Sequence, residues 1–255
     1  MTIKVLTLNV WHGGKLLEDM LAFLESENAD ILVVQEAYND PRPELPPNFR
    51  TVEMIQNRLH YPATDFAPTF LQIMPALKSE RGNAIFSRFP ITHRDVTFFN
   101  EPYSDEYYDE SPYFATSPRN LQHVSLNTPA GQINVFNLQG VWDLDGDSYS
   151  LPRIRMSDII IQSIKDKPNV ILAGDTNAKP TNEAILRIEK HLHNVFAREL
   201  TTSFNMRHKM NPGYATAIVD MIFTSPAFQI VSHECPDIDI SDHLPLIATL
   251  QLAKH

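Results

Sequence analysis

The chain has 255 residues, 43% of them hydrophobic, and a formal net charge of −10 with a pI near 5.4. That is enough apolar material for a large core. The acidic balance argues against a protein that grips a long nucleic-acid backbone through lysine and arginine, unless bound divalent cations reverse the field locally. Cys235 is the only cysteine, which excludes a disulfide framework and a cysteine-based zinc site.

Nineteen prolines against eight glycines point to fixed loops rather than floppy linkers. No repeat, low-complexity tract or composition shift marks a boundary, so one domain over 1–255 is expected. Residues 3–8 alternate as a strand does, directly after Met1, without the zones of a signal peptide. No apolar segment approaches the roughly 20 residues that span a bilayer. A cytoplasmic monomer with no membrane span is the expectation.

The first strand ends at Asn9 and is followed by Trp11, His12, Gly13 and Gly14; Leu16, Leu17, Met20, Leu21 and Leu24 then recur at helical spacing. Residues 31–34 form a continuous apolar strand that delivers Gln35 and Glu36 at its end. A carboxylate there is poorly placed for packing and well placed to hold a hard cation. Residues 39–68 are proline-rich around one helix near 49–59. Arg81, Gly82 and Asn83 precede a short strand at 84–87, and 91–99 continues the sheet. The acidic, tyrosine-rich stretch 101–114 reads as a solvated loop.

Residues 121–126 and 133–138 read as a hairpin that ends in Asn137, Leu138 and Gln139. The segment from Asp143 to Asp147 resembles a calcium loop, but its glycine falls at the fourth position and Ile154 stands where the bidentate glutamate belongs. It reads as a polar loop leading into a helix over 151–165. Residues 170–173 are a strand buried on both faces, and Gly174 is expected to let the chain turn so that Asp175 and Asn177 stand at its C-terminal end. Asp175 can accept or orient a proton; the Asn177 amide can donate to an oxyanion. A helix starts at residues 180–182. His191 and His193 near its end read as surface residues rather than metal ligands. Arg198, Arg207, His208 and Lys209 lie on what reads as a solvated loop, the alternative being one side of a phosphate groove. Asp220 is embedded in a strand, and Asp242 and His243 precede the last one, 246–252.

Five polar strand ends in order along one chain suggest that those ends converge. The ordered set Leu8-Asn9-Val10, Val34-Gln35-Glu36, Gly174-Asp175-Thr176-Asn177, Val219-Asp220-Met221-Ile222-Phe223 and Ser241-Asp242-His243 resembles the endonuclease/exonuclease/phosphatase superfamily. That group includes abasic-site endonucleases, pancreatic-type deoxyribonucleases, inositol polyphosphate phosphatases and neutral sphingomyelinases. The resemblance implies a two-sheet α/β sandwich of four layers, with helices outside each sheet and the site at one edge between them. It also implies a Mg²⁺- or Mn²⁺-dependent phosphoester hydrolase. Glu36 would be the principal metal ligand, with Asn9 and Asp242 around the ion. Asp175 would activate the attacking water, Asn177 would hold a phosphate oxygen, and His243, oriented by Asp220, would contact the phosphate. Asn83, Asn137 and Arg119 are assigned to substrate binding.

Two positions depart from the resemblance. Gln139 stands where many members carry a histidine; its amide can donate to phosphate but cannot act as an acid near neutral pH. Trp11 stands where nuclease-like branches often have an acidic residue. Gln139 motivates an alternative from another class, a catalytically silent binding protein on the same fold. The sequence leaves the substrate open between nucleic acid and a small phosphoester.

Overall fold

Seven strands make one sheet in the order β12-β13-β1-β2-β4-β3-β6, and six make the other in the order β10-β11-β9-β8-β7-β5. These come from a computed structural model that describes residues 1–75, 77–108, 117–143 and 149–253. The strands of the first sheet are β1 (Thr2–Asn9), β2 (Ile31–Tyr38), β3 (Ala63–Met74), β4 (Leu77–Ser87), β6 (Ser104–Tyr108), β12 (Phe228–Glu234) and β13 (Leu246–Leu252). Those of the second are β5 (Ile91–Phe98), β7 (Asn120–Thr128), β8 (Gly131–Gln139), β9 (Val170–Asp175), β10 (His193–Asn194) and β11 (Asp220–Thr224). An irregular turn, α1 (Trp11–Gly14), and helices α2 (Leu17–Glu27) and α3 (Thr51–Leu59) belong to the first half; α4 (Leu151–Ile164) and α5 (Glu183–Ile188) belong to the second.

Period-two alternation assigns each strand residue to a layer. Ile3, Val5, Ile31, Val33, Ile85, Val135, Ile171, Ala173 and Ile222 form the core between the sheets. Their neighbours Leu6, Leu8, Leu32, Val34 and Phe86 point the other way and are covered by Met20, Leu21 and Leu24 of α2 and Ile55 of α3. On the second sheet, Phe136, Leu138, Leu172, Met221 and Phe223 pack under Met156 and Ile160 of α4 and Ile185 of α5. The result is the expected four-layer α/β sandwich. Among the described residues, no helix is long and apolar enough to cross a membrane.

Three elements differ from the sequence reading. Within the stretch read as loop and helix, residues 63–68 open a twelve-residue strand, β3, that contains Pro68. Pro68 is tolerated because its register with β4 shifts between Pro68 and Phe70, so no ladder hydrogen bond is demanded of it. The acidic stretch supplies an edge strand, β6, which pairs in parallel with β3 and stacks Tyr107 on Phe70 at 4.1 Å. Its exposed Asp105 and Glu106 discourage any further strand from adding there. Residues 109–114 of that stretch, and 144–147 of the calcium-like segment, lie outside the described residues.

Gly174 does not turn the chain. It sits inside β9, facing Leu138 and Met221, with φ +142°. A Cβ there would run into the carbonyl oxygen of Leu138, so glycine is what lets β8 and β9 approach. Gly174→Ala is therefore expected to destabilise the protein by about 3 kcal/mol, combining backbone strain with overpacking. Urea unfolding checks this; an unchanged midpoint would mean that the strands part at little cost.

Candidate active site

The strand ends meet at one edge of the sandwich. Asn9 ends β1, Gln139 ends β8, Asp175 ends β9 and Asp220 begins β11. Asn137, Gln139, Asp175 and Asp220 share the parity of inward-facing residues on their strands, so each aims between the sheets. Glu36 has the opposite parity and by alternation belongs to the helix side. The β2–β4 register shifts between Val34 and Ala37, and Glu36 has φ +63°. That bulge, with its left-handed residue, turns the carboxylate inward.

Four donors converge on the Glu36 carboxylate. Oε1 accepts from Asn9 Nδ2 at 3.2 Å and from Gln139 Nε2 at 2.7 Å; Oε2 accepts from the His12 backbone N–H at 2.9 Å and pairs with the Arg81 guanidinium at 2.5 Å. The His12 N–H is aimed by α1, whose residues 11–14 all have positive φ. Burial opposes ionisation of Glu36, but the charges of Arg81, His12 and Arg119 and the His12 hydrogen bond outweigh it and hold the carboxyl well below its ordinary range.

Asn9 Nδ2 also donates to Asp175 Oδ2 at 3.1 Å, so one amide bridges carboxylates from the two sheets. Asp175 Oδ1 accepts the backbone N–H of Asn177 at 2.9 Å. Burial pushes Asp175 up to about 6; the cationic His243 opposes that shift and Asp220 adds to it. Burial by itself would lower His243, yet Asp220, bonded to Nδ1 at 2.8 Å, raises it to about 10, so the imidazole is protonated. The Asp242–His243 segment is fastened to β1 by the Ser241 hydroxyl, which donates to the Asn9 carbonyl at 2.6 Å. The loop carrying Lys209 is tied to the same segment, with Asn205 Nδ2 donating to the Ser241 carbonyl at 2.8 Å and Lys209 Nζ paired to Asp242 at 2.6 Å. On the far side, Arg153 of α4 donates to the Asn177 carbonyl at 2.5 Å and the Val141 carbonyl at 3.2 Å, fixing the turn after β9.

These groups line a cavity of about 300 Å³ that contains Asn9, Glu36, Gln139, Asp175, Asn177, Asp242 and His243, with Arg119 among its walls. Asp220 stands behind His243. A larger cleft of about 750 Å³ adjoins it across His12 but is lined by no carboxylate.

Two of the residues assigned to substrate binding lie elsewhere. Asn137 is fully buried beneath the cavity, where it accepts from Gln35 Nε2 at 2.9 Å and donates to the Val34 carbonyl at 2.9 Å and Gln122 Oε1 at 3.1 Å. Asn83 donates to Asn120 Oδ1 at 3.0 Å. Both stitch the two sheets together. The amide of Gln139 reaches the cavity, but the Glu36 carboxylate takes up its hydrogen bond. Of the basic segment, Arg198, Arg207 and His208 pair with Glu189, Asp237 and Asp239, and Lys209 alone reaches the cavity.

The sequence reading did not single out Arg81, Tyr107, Trp142, Phe204 or Tyr214 as cavity residues. Arg81 carried a usable signal, since it is two residues from Asn83 in what proves to be one strand and therefore shares its inward face. The aromatic walls come from segments that read as loops and carried none.

The Endonuclease/Exonuclease/phosphatase family model matches residues 6–243. The chain belongs to this family. The family is one of metal-dependent phosphoesterases, and its members are in general hydrolytic. Among curated proteins, none matches the sequence at a significant level. Solved structures resemble this family member in fold. An endonuclease/exonuclease/phosphatase from Beutenbergia cavernae superposes with a TM-score of 0.77 over 98% of this chain and 72% of that one, at 19% identity. A mannosyl-6-phosphatase from Bacteroides thetaiotaomicron gives 0.70 over 98% and 100%, at 15% identity. TDP2 from D. rerio, complexed with single strand DNA product, gives 0.69 over 98% and 99%, at 14% identity.

Within this family fold, the described residues hold one group of three ligand-type side chains, Asp175, Asp220 and His243, whose ligand atoms lie within 4.8 Å of one another. Its imidazole is protonated and bonded to Asp220, which makes this corner repel a cation. The oxygen atoms of Glu36 and Asp242 are likewise paired, with Arg81 and Lys209.

Proposed function

We propose that this chain, as one unit over 1–255, is a phosphoester hydrolase that works with Mg²⁺ or Mn²⁺. One observation carries the reading: the Asn9 amide bridges Glu36 and Asp175 in the cavity that His243, backed by Asp220, also lines. Asp175 is buried without a paired cation and meets Glu36 across that single amide, an approach of two carboxylates that a hard cation would offset. The nearby donors Glu36, Asn9 and Asp242 are all oxygen ligands, which fits Mg²⁺ or Mn²⁺ better than zinc. When bound, the ion supplies Lewis-acid polarisation of a phosphoryl oxygen.

The chain's own residues supply the rest. Gln139, His12 and Arg81 hold the Glu36 carboxylate charged and in place. Asp175 accepts a proton from the attacking water and orients it, a task suited to a carboxylate raised toward neutrality by burial. Asn177 uses one amide hydrogen on the Gly140 carbonyl at 3.0 Å and has a second to offer a phosphoryl oxygen. His243, kept cationic by Asp220, donates to the phosphoryl group and offsets the charge that develops there. Retention of this whole set speaks for an enzyme over a silent binding protein.

The test is hydrolysis of p-nitrophenyl phosphate and bis-p-nitrophenyl phosphate. Turnover is expected with Mg²⁺ or Mn²⁺, is lost in EDTA and returns when the ion is restored. Turnover that persists in EDTA, or none on either ester, would overturn the reading.

A further inference from the structure

Three carboxylates in or behind the cavity are matched by a cation: Glu36 by Arg81, Asp242 by Lys209 and Asp220 by His243. Asp175, the fourth, is held by the Asn9 amide and the Asn177 N–H. Arg119 has no such counterpart. It lines the same cavity and is 8% exposed, and its side chain makes no hydrogen bond or ion pair among the described residues. Its Nε is buried with no partner, and its one hydrogen bond is made by the backbone, where its carbonyl accepts from Phe99 N–H at 3.0 Å. Arg81, Glu36 and Asp175 are its charged neighbours.

A buried guanidinium with no hydrogen-bonded anion is costly, and a second guanidinium beside it makes the position worse. Such a pair is stable when an anion joins it, and the guanidinium fork matches the oxygens of a phosphate. In the catalytic reading above, on which this argument rests, His243 and Asn177 already serve two phosphoryl oxygens. A phosphodiester has only two non-bridging oxygens and one charge. A phosphomonoester has three terminal oxygens and two charges, and so has something left for Arg119.

The surroundings limit what carries that phosphate. The cavity is about 300 Å³, at the small end for a ligand site, and is walled by the stacked pair Phe70–Tyr107 and the tilted pair Phe204–Tyr214. Exposed Glu101, Asp105 and Glu106 flank Tyr107 and repel a polyanion. We infer that the substrate is a small-molecule phosphomonoester, and that Arg119 is the residue that selects the dianionic terminal phosphate over a diester.

The probes are phenylphosphonate, as its dianion, and methyl phenylphosphonate, its monoanionic ester; neither carries a cleavable phosphate. Calorimetric titration of the Mg²⁺-saturated protein is expected to give about tenfold or greater preference for the dianion, the scale of one charge-assisted hydrogen-bonded contact. Arg119→Met should bring the two affinities to within about threefold, and Arg119→Lys should keep part of the preference. Because no described side chain hydrogen-bonds this guanidinium, Arg119→Met should melt close to wild type. A merely structural arginine would instead lower the melting temperature and leave the ratio unchanged. Equal wild-type affinities, an unchanged ratio in folded Arg119→Met, or tighter binding of a single-stranded oligonucleotide than of phenylphosphonate would each overturn the inference. Metal-dependent hydrolysis of diesters without dianion preference sinks this inference alone. Dianion preference in a protein inert on every ester sinks the hydrolase reading and leaves Arg119 only as the residue that selects a bound phosphate dianion.

Discussion

Asp175→Asn is expected to lower kcat by about 10²–10⁴-fold, the usual contribution of a positioned general base, with KM changed far less. The amide is nearly isosteric and can still accept the Asn177 N–H, so the turn after β9 should survive. It cannot take a proton from water. With its one oxygen kept on Asn177, its NH₂ faces the Asn9 amide donor against donor, where a carboxylate oxygen now accepts at 3.1 Å. Asp175 is buried with no paired cation, so removing its charge breaks no ion pair; burial and the neighbouring Asp220 outweigh His243 and push its carboxyl up to about 6. Relief of the buried charge offsets that lost hydrogen bond, so the variant should melt close to wild type, separating loss of chemistry from loss of structure. Steady-state kinetics alongside a thermal melt decide the matter, and activity within about tenfold of wild type would remove Asp175 from the base role.

Glu36→Gln has the larger combined effect. Hydrolysis should fall to background, and Mg²⁺ affinity should drop by more than about 100-fold, since changing a residue that only orients a ligand already costs about 10–100-fold. Stability should fall too. The carboxylate accepts from four donors, and an amide NH₂ in its place faces two of them as donor against donor. Arg81 is left buried without its counter-charge, a loss of about 3 kcal/mol. Calorimetry at a temperature well below the melt separates the two effects. Folded Glu36→Gln protein that binds Mg²⁺ as wild type does would take Glu36 out of the ligand set.

The sequence alone determined which strands carry chemistry and, for most of them, which way it points. Asn9, Asp175 and Asp220 each sit an even number of residues from apolar positions of the inter-sheet core, so alternation aims them inward together with Ile3, Ala173 and Ile222. The same parity places Asn137 and Gln139 inward, but not how deep they lie. Asn137 ends as a buried tie between the sheets, and Gln139 as a support for Glu36, because depth depends on where the opposite sheet's polar groups fall. Pro68, Gly174 and the acidic 101–108 stretch were misread for a related reason. A local pattern suggests a breaker, a turn or a solvated loop, while a register shift, a close strand approach or an edge partner turns each into strand. Arg119, Arg81 and Lys209 meet around one cavity from three distant segments, and no spacing in the chain encodes that meeting. Glu36 is the clearest case. By alternation it belongs among the residues facing α2 and α3, with Leu32 and Val34. Only the bulge against β4 and the left-handed backbone at Glu36 bring its carboxylate into the cleft, because one unpaired residue reverses the face of everything that follows it.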